Sequence, residues 1–185
     1  MRVFQYLPIL IATATSRGFT IPDGQPEGVY QVSYDANGNA IHTFLHGPIN
    51  HTESTSLDSK AIRAASYGGS PLLARQSEEV HCASYALPQQ DTKDAIEGLK
   101  RQCDTGVIRG NLNFYSWIGG TVVYLCNLNA TPTTCNRNDI DYSVNRIAGI
   151  CTSYTSGWNI RRRRGRDVSI GYERTGSNFC ARGSG

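Results

Sequence analysis

No segment of the chain is apolar over the length that a membrane-spanning helix requires. No Cys-x-x-Cys pair is present, and the four histidines (His42, His46, His51, His81) all precede the cysteine region. A zinc site wants closely spaced or mixed Cys/His ligands, so this pattern argues against a metal centre, and no cofactor is expected. The sequence also lacks a nucleophile elbow, a P-loop, a dinucleotide fingerprint, a zinc-protease motif and a calcium loop. Those absences remove the enzyme classes that announce themselves by motif, and no catalytic residue is assigned.

What is present points to an oxidising compartment. Six cysteines (Cys82, Cys103, Cys126, Cys135, Cys151, Cys180) form an even set that suits three bridges, and six cysteines allow fifteen pairings among which spacing does not choose. Residues 1–18 open with Arg2, continue through a short apolar core (Leu7 to Ala14) and end in small residues, which is the layout of an export signal. The sequons at Asn50 and Asn129 mark candidate glycosylation sites in the same compartment. A soluble, secreted, monomeric protein is expected.

Residues 19–77 read as a leader, a candidate propeptide. Val29–Tyr34 and Ala40–Leu45 are strand-like and flank Asp35–Asn39, whose Asn37-Gly38 pair is a strong hairpin signal because both residues tolerate positive φ. An isolated hairpin is marginal in water, so this one must pack on the main domain, form an accessory ribbon or leave with a propeptide. The rest of the leader, 46–77, is polar and reads as a flexible connector with short helical patterns at Leu57–Ala65 and Pro71–Glu79.

Residues 78–185 carry all six cysteines and form the expected disulfide-braced domain. A first strand at Val80–Tyr85 is stopped by Pro88. A helix capped by Asp91 then runs to Cys103, with Ile96, Leu99 and Cys103 on one face. Gly98 weakens that helix by about 1 kcal/mol relative to Ala and marks a candidate close contact. The central hairpin Asn111–Leu128 turns at Gly119-Gly120, with Leu112, Phe114 and Ser116 alternating against Asn113, Tyr115 and Trp117. A second helix, capped by Asn138, runs from Asp139 to Ile150 with an inward stripe of Ile140, Val144, Ile147 and Cys151. A last strand at Val168–Glu173 closes the order β-α-β-β-α-β. That order predicts an α+β fold, a split β-α-β plan with a four-stranded antiparallel sheet and two helices on one face. Each helix ends on a cysteine of its apolar face, placed to meet the other helix or a strand within the 4.4–6.8 Å Cα separation a bridge requires. Three bridges of on the order of 2–4 kcal/mol each would support a modest core.

Formal net charge is +3, but from Arg146 onward eight arginines oppose only Asp167 and Glu173. The dense part is Arg161, Arg162, Arg163, Arg164 and Arg166, read as a solvated loop before the last strand. Its functional readings are attachment to an anionic surface through the arginine fork, or cleavage by a dibasic-specific protease. No aromatic alternates through the run, which speaks against a stacking platform for nucleic acid. Tyr115, Trp117 and Trp158 are candidate contact aromatics. A ribonuclease-like hydrolase would need a histidine, a glutamate and an arginine in one cleft, drawn from His81, Glu173 and Arg174 or from His42 and His46.

The cysteine spacing, Cys126-Asn127-Leu128-Asn129, Gly157-Trp158 and the closing stretch Gly171–Cys180 together resemble small secreted cysteine-rich proteins of filamentous fungi, candidate effectors among them. The α/β plan is similar to the killer toxins of smut fungi. The resemblance implies an extracellular protein that works by binding, on a host or competitor protein or a surface. The alternatives are a small secreted hydrolase and a cell-wall or anionic-surface adhesive protein.

Overall fold

The computed structural model describes residues 18–48, 77–103, 112–129, 131–163 and 166–181. The export segment up to residue 17, the connector 49–76 with the Asn50 sequon, and Arg164 lie outside the described residues. Nine elements follow in chain order: β1 (Gly28–Tyr34), β2 (Ala40–His46), β3 (Ser77–Ala86), α1 (Gln89–Cys103), β4 (Asn113–Ile118), β5 (Thr121–Asn127), α2 (Arg137–Cys151), β6 (Thr155–Arg163) and β7 (Arg166–Arg174).

The strands form one antiparallel sheet of seven, in the order β2-β1-β4-β5-β7-β6-β3. The expected four-stranded sheet is therefore wrong on two counts. The leader hairpin is not an accessory: β1 inserts between β2 and β4 and extends the sheet at one end. The arginine run is not a loop: Arg161, Arg162 and Arg163 are the end of β6, which pairs with β7 on one side and β3 on the other. The residues of β6 alternate, with Asn159 and Arg161 on one face and Trp158, Ile160 and Arg162 on the other.

Both helices cover the same face. Leu99 and Ala95 of α1, with Ile140 and Ile147 of α2, meet Phe114, Val123, Leu125 and Ile170 in the main core. The two helix starts differ from the sequence reading. Helix α1 begins two residues before Asp91, whose carboxylate instead accepts from the Gly120 backbone N–H at 3.2 Å and ties the helix to the β4–β5 turn. Gly119 in that turn has φ 54°, where a side chain is strained, and a Cβ there would sit 2.0 Å from Asp91 Oδ2. Asn136 rather than Asn138 caps α2, its side chain accepting from the Asn138 N–H at 2.8 Å. Gly98 does mark a close approach, since a Cβ there would lie 2.5 Å from Ser116 Oγ on β4.

The bridges are Cys82–Cys151, Cys103–Cys135 and Cys126–Cys180, closing separations of 69, 32 and 54 residues. The first joins β3 to the end of α2, and the second joins the end of α1 to the segment leading into α2. The third lies on the opposite face of the sheet and holds the chain end beyond β7.

On the helix side, Arg161 donates to Asp139 at 2.8 Å with only 7% of its side chain exposed, and Arg166 donates to the other oxygen of the same carboxylate. The Arg161 guanidinium also lies 4.5 Å from the Tyr142 ring centroid. Removing one partner of a buried pair strands the other charge, which costs about 3–5 kcal/mol. Asp139→Asn should therefore lower unfolding free energy by about that amount in chemical denaturation. Arg162→Gln breaks a pair whose members are 44% and 48% exposed, and should lower it by less than about 1 kcal/mol. Equal small losses from both would show that Asp139 does not hold the strand end.

Candidate functional site

The helix-free face of the sheet is built around one register row that crosses all seven strands. Phe44, Tyr30, Tyr115, Tyr124, Gly171, Trp158 and His81 are successive Cα partners from β2 to β3. Six of the seven carry rings, and the exception is the glycine. Tyr30 stacks on Tyr115 at 5.1 Å and 11°, and His81 stacks on Trp158 at 5.1 Å and 15°.

One half of this face is closed. Phe19 exchanges backbone hydrogen bonds with Phe179 (2.8 Å each way), and the pair of rings lies over Tyr115 and Tyr124 in a second, aromatic core. The Cys126–Cys180 bridge pins the edge of that cover to β5. The other half, over β5, β7, β6 and β3, is an open groove of about 490 Å³. Tyr124 forms part of its floor by lying over Gly171: a Cβ there would lie 2.6 Å from both Trp158 Cβ and Tyr124 Oη, so only glycine lets the tyrosine lean across. Trp158 and Ile160 line one side and Tyr124 and Leu128 the other, with Asn178 and Ala181 of the chain end above.

The polar groups fall into two sets. At one end, Glu173 Oε1 accepts from the Tyr124 hydroxyl at 2.5 Å, and its carboxylate accepts also from Ser177. Burial pushes the Glu173 carboxyl above its ordinary value of 4.5, although both hydroxyls pull it down. Burial, with the neighbouring carboxylate, holds the Tyr124 hydroxyl well above its usual range. At the other end, Glu79 accepts from Arg162 at 2.5 Å and lies 3.6 Å from His81 Nε2. Asp167 lines the groove beside them.

Of the residues singled out by sequence, Trp158, His81, Glu173 and Arg162 meet in this groove. Tyr115 is fully buried, with its hydroxyl bonded to His42 Nδ1 at 2.8 Å and to Gln25, so it offers no exposed aromatic. Trp117 is half-buried, and its indole donates to the Gly119 carbonyl at 2.8 Å. Arg161 and Arg166 face the helices, Arg163 is exposed, and Arg174 lies on the helix side over the Tyr85 ring at 3.8 Å. His42 belongs to the aromatic core, and His46 lies at the strand end near the Gly47 carbonyl. The Asn129 amide nitrogen donates to the Asp167 carbonyl at 3.0 Å and to Asn127 at 3.3 Å. Sequence reasoning missed Tyr124, Gly171, Glu79 and Asp167. Their only signal was alternation on strands whose pairing was not known.

The groove can hold a ligand against aromatic walls and can exchange a proton at Glu173. It is a poor cradle for phosphate, because three carboxylates line it and the guanidinium of Arg162 is already paired. Among the described residues no cluster of His, Cys, Asp and Glu is placed to hold a metal ion, and no helix is long and apolar enough to cross a membrane. No protein-family model matches the chain, and neither the curated proteins nor the solved structures contain a match.

Glu173 also gives a stability signature. A carboxyl whose folded pKa is raised contributes stability that is fully present below the unfolded value and is lost as pH rises through the folded value. Glu173→Gln is always neutral and keeps an oxygen for Tyr124 and Ser177. The variant should melt higher than the parent at about pH 8 and at the same temperature well below pH 4.5. A pH-independent difference in melting temperature would show that Glu173 is not buried in its charged form.

Proposed function

We propose that this is a secreted, disulfide-braced binding protein, effector-like or toxin-like in its mode of action, that takes its ligand in the helix-free groove. The observation that carries this reading is the groove itself. The Phe19–Phe179 cover closes one half of the aromatic face, while the other half is a groove lined by Trp158, Ile160, Tyr124 and Leu128. A mostly pre-formed concavity with aromatic walls and a few placed polar groups is the usual form of a small-ligand site. The three bridges suit an oxidising compartment and support the export reading. Resemblance to small secreted fungal effectors and to smut killer toxins supports a target outside the producing cell. Attachment to an anionic surface through the arginines draws less support, since Arg161, Arg162 and Arg166 are each paired with a carboxylate.

A small hydrolase is the second reading, favoured by the meeting of His81, Glu173 and Arg162 in one groove. The acidic lining favours a substrate without phosphate charge over RNA.

Two measurements test the proposal. Protein recovered from culture medium should have lost an N-terminal segment and should carry the three bridges by peptide mass mapping. On arrays of defined oligosaccharides and peptides, Trp158→Ala should lose at least about tenfold in affinity for whatever the parent binds, the scale of one lost aromatic contact. Arg163→Ala should keep the parent's affinity. Retention of binding by Trp158→Ala, with loss on neutralising Arg162, Arg163 and Arg164 together, would transfer the function to the arginine strand.

A further inference from the structure

On the helix-free face of β7, Asp167, Ser169, Gly171 and Glu173 follow one another at every second residue, and all but Gly171 line the groove directly, with Gly171 beneath Tyr124. The groove therefore runs along one strand, with a carboxylate at each end, and Ser169 and the Tyr124 ring over Gly171 between. Six residues of strand separate the Asp167 and Glu173 Cα atoms, about 20 Å at ~3.3 Å per residue. The walls along that stretch are apolar or aromatic, Trp158 and Ile160 facing Tyr124 and Leu128.

Among the described residues each end carries one surplus negative group. At the first end, Glu173 is met among those residues only by the neutral hydroxyls of Tyr124 and Ser177, while the neighbouring Arg174 lies on the other face over Tyr85. At the second end, Arg162 is spent on Glu79, and the Asp167 carboxylate has no hydrogen bond or ion pair among the described residues. A half-buried carboxylate without a cation gains from one supplied by a ligand, and a nearby aromatic face adds cation–π attraction for an ammonium group.

From this juxtaposition we infer that the groove binds an extended aliphatic ligand bearing two ammonium groups, one seated on Glu173 and one on Asp167. Its methylene chain lies over Ser169 and along the Tyr124 ring that covers Gly171, beside Trp158. The shared chemistry is the primary ammonium on a flexible alkyl chain, supplied by a free polyamine or by paired lysine side chains of a peptide. This inference rests on the groove being the binding site.

The test uses the full-length, disulfide-intact protein and follows Trp158 by indole fluorescence or its N–H resonance. The probes are spermidine, spermine, a short peptide with two spaced lysines, N-acetyl-lysine methylamide with one ammonium, and uncharged hexanediol. The polyamines or the two-lysine peptide should perturb Trp158 saturably, with the one-ammonium compound at least about tenfold weaker and hexanediol without effect. Glu173→Gln and Asp167→Asn should each weaken the tight binder by at least about tenfold. Tighter binding of the free polyamine assigns the ligand to that source, and tighter binding of the peptide assigns it to lysine side chains. Failure of every amine to perturb Trp158, or affinity unchanged in both carboxylate variants, overturns the inference. An uncharged array ligand that depends on Trp158 would overturn the ammonium assignment and leave the groove standing. An array ligand indifferent to Trp158→Ala would remove both.

Discussion

Strand register is the constraint on which the rest of the structure depends. Side chains alternate with a period of two, so a one-residue slip in any pairing would send a strand's inward set to the other face. Here both faces are occupied, and a slip would be felt twice. The row from Phe44 to His81 fixes the register visibly: six strands contribute a ring to it, and β7 contributes a glycine because Tyr124 and Trp158 leave no room for a Cβ. Three sequence-local hairpins, β1–β2, β4–β5 and β6–β7, set most of that register cheaply. The pairings of β1 with β4, β5 with β7 and β3 with β6 must then agree with it.

Two cores on one sheet explain where the bridges sit. Cys82–Cys151 and Cys103–Cys135 brace the helix layer, whose helices otherwise touch the sheet through a limited apolar stripe. Cys126–Cys180 belongs to the aromatic side, where among the described residues there is no helix and the cover is the short segments at Phe19 and Phe179. Those segments are long enough to shield the β1, β4 and β5 part of the face and end at its middle. The groove is what remains beyond that boundary. Its existence follows from incomplete cover among the described residues, and Gly171 lets Tyr124 lean across its floor toward Trp158.

Much of this was legible where local chemistry decides the outcome. The Asn37-Gly38 turn, the hairpin at Gly119-Gly120 and both helices follow from turn residues and apolar period. What was not legible depended on partners far along the chain. A run of arginines has the composition of a solvated loop, and nothing within it says that Asp139, 22 residues before Arg161, will enter α2 facing that strand. Tyr115 alternates to the open face as expected, yet Phe19, 96 positions earlier, covers it. The site shows the same split. His81, Glu173 and Trp158 drew attention by residue type, while Tyr124, Asp167 and Glu79 acquire meaning only once β5, β7, β6 and β3 are placed side by side.

The charge of the chain and the charge of the groove have opposite signs, and the fold accounts for this. The arginine-rich end gives the sequence its positive balance, but alternation along β6 and β7 turns Arg161 and Arg166 toward the helices, where one carboxylate, Asp139, holds both. The same alternation turns Asp167 and Glu173 to the opposite face, where among the described residues Arg162 is the only arginine and is held by Glu79. A two-residue period therefore sorts a basic segment into an inner side whose arginines share one carboxylate and an outer side lined by carboxylates. At physiological ionic strength fields fade over about 8 Å, so a ligand in the groove responds to the outer side and not to the formal charge of the whole chain.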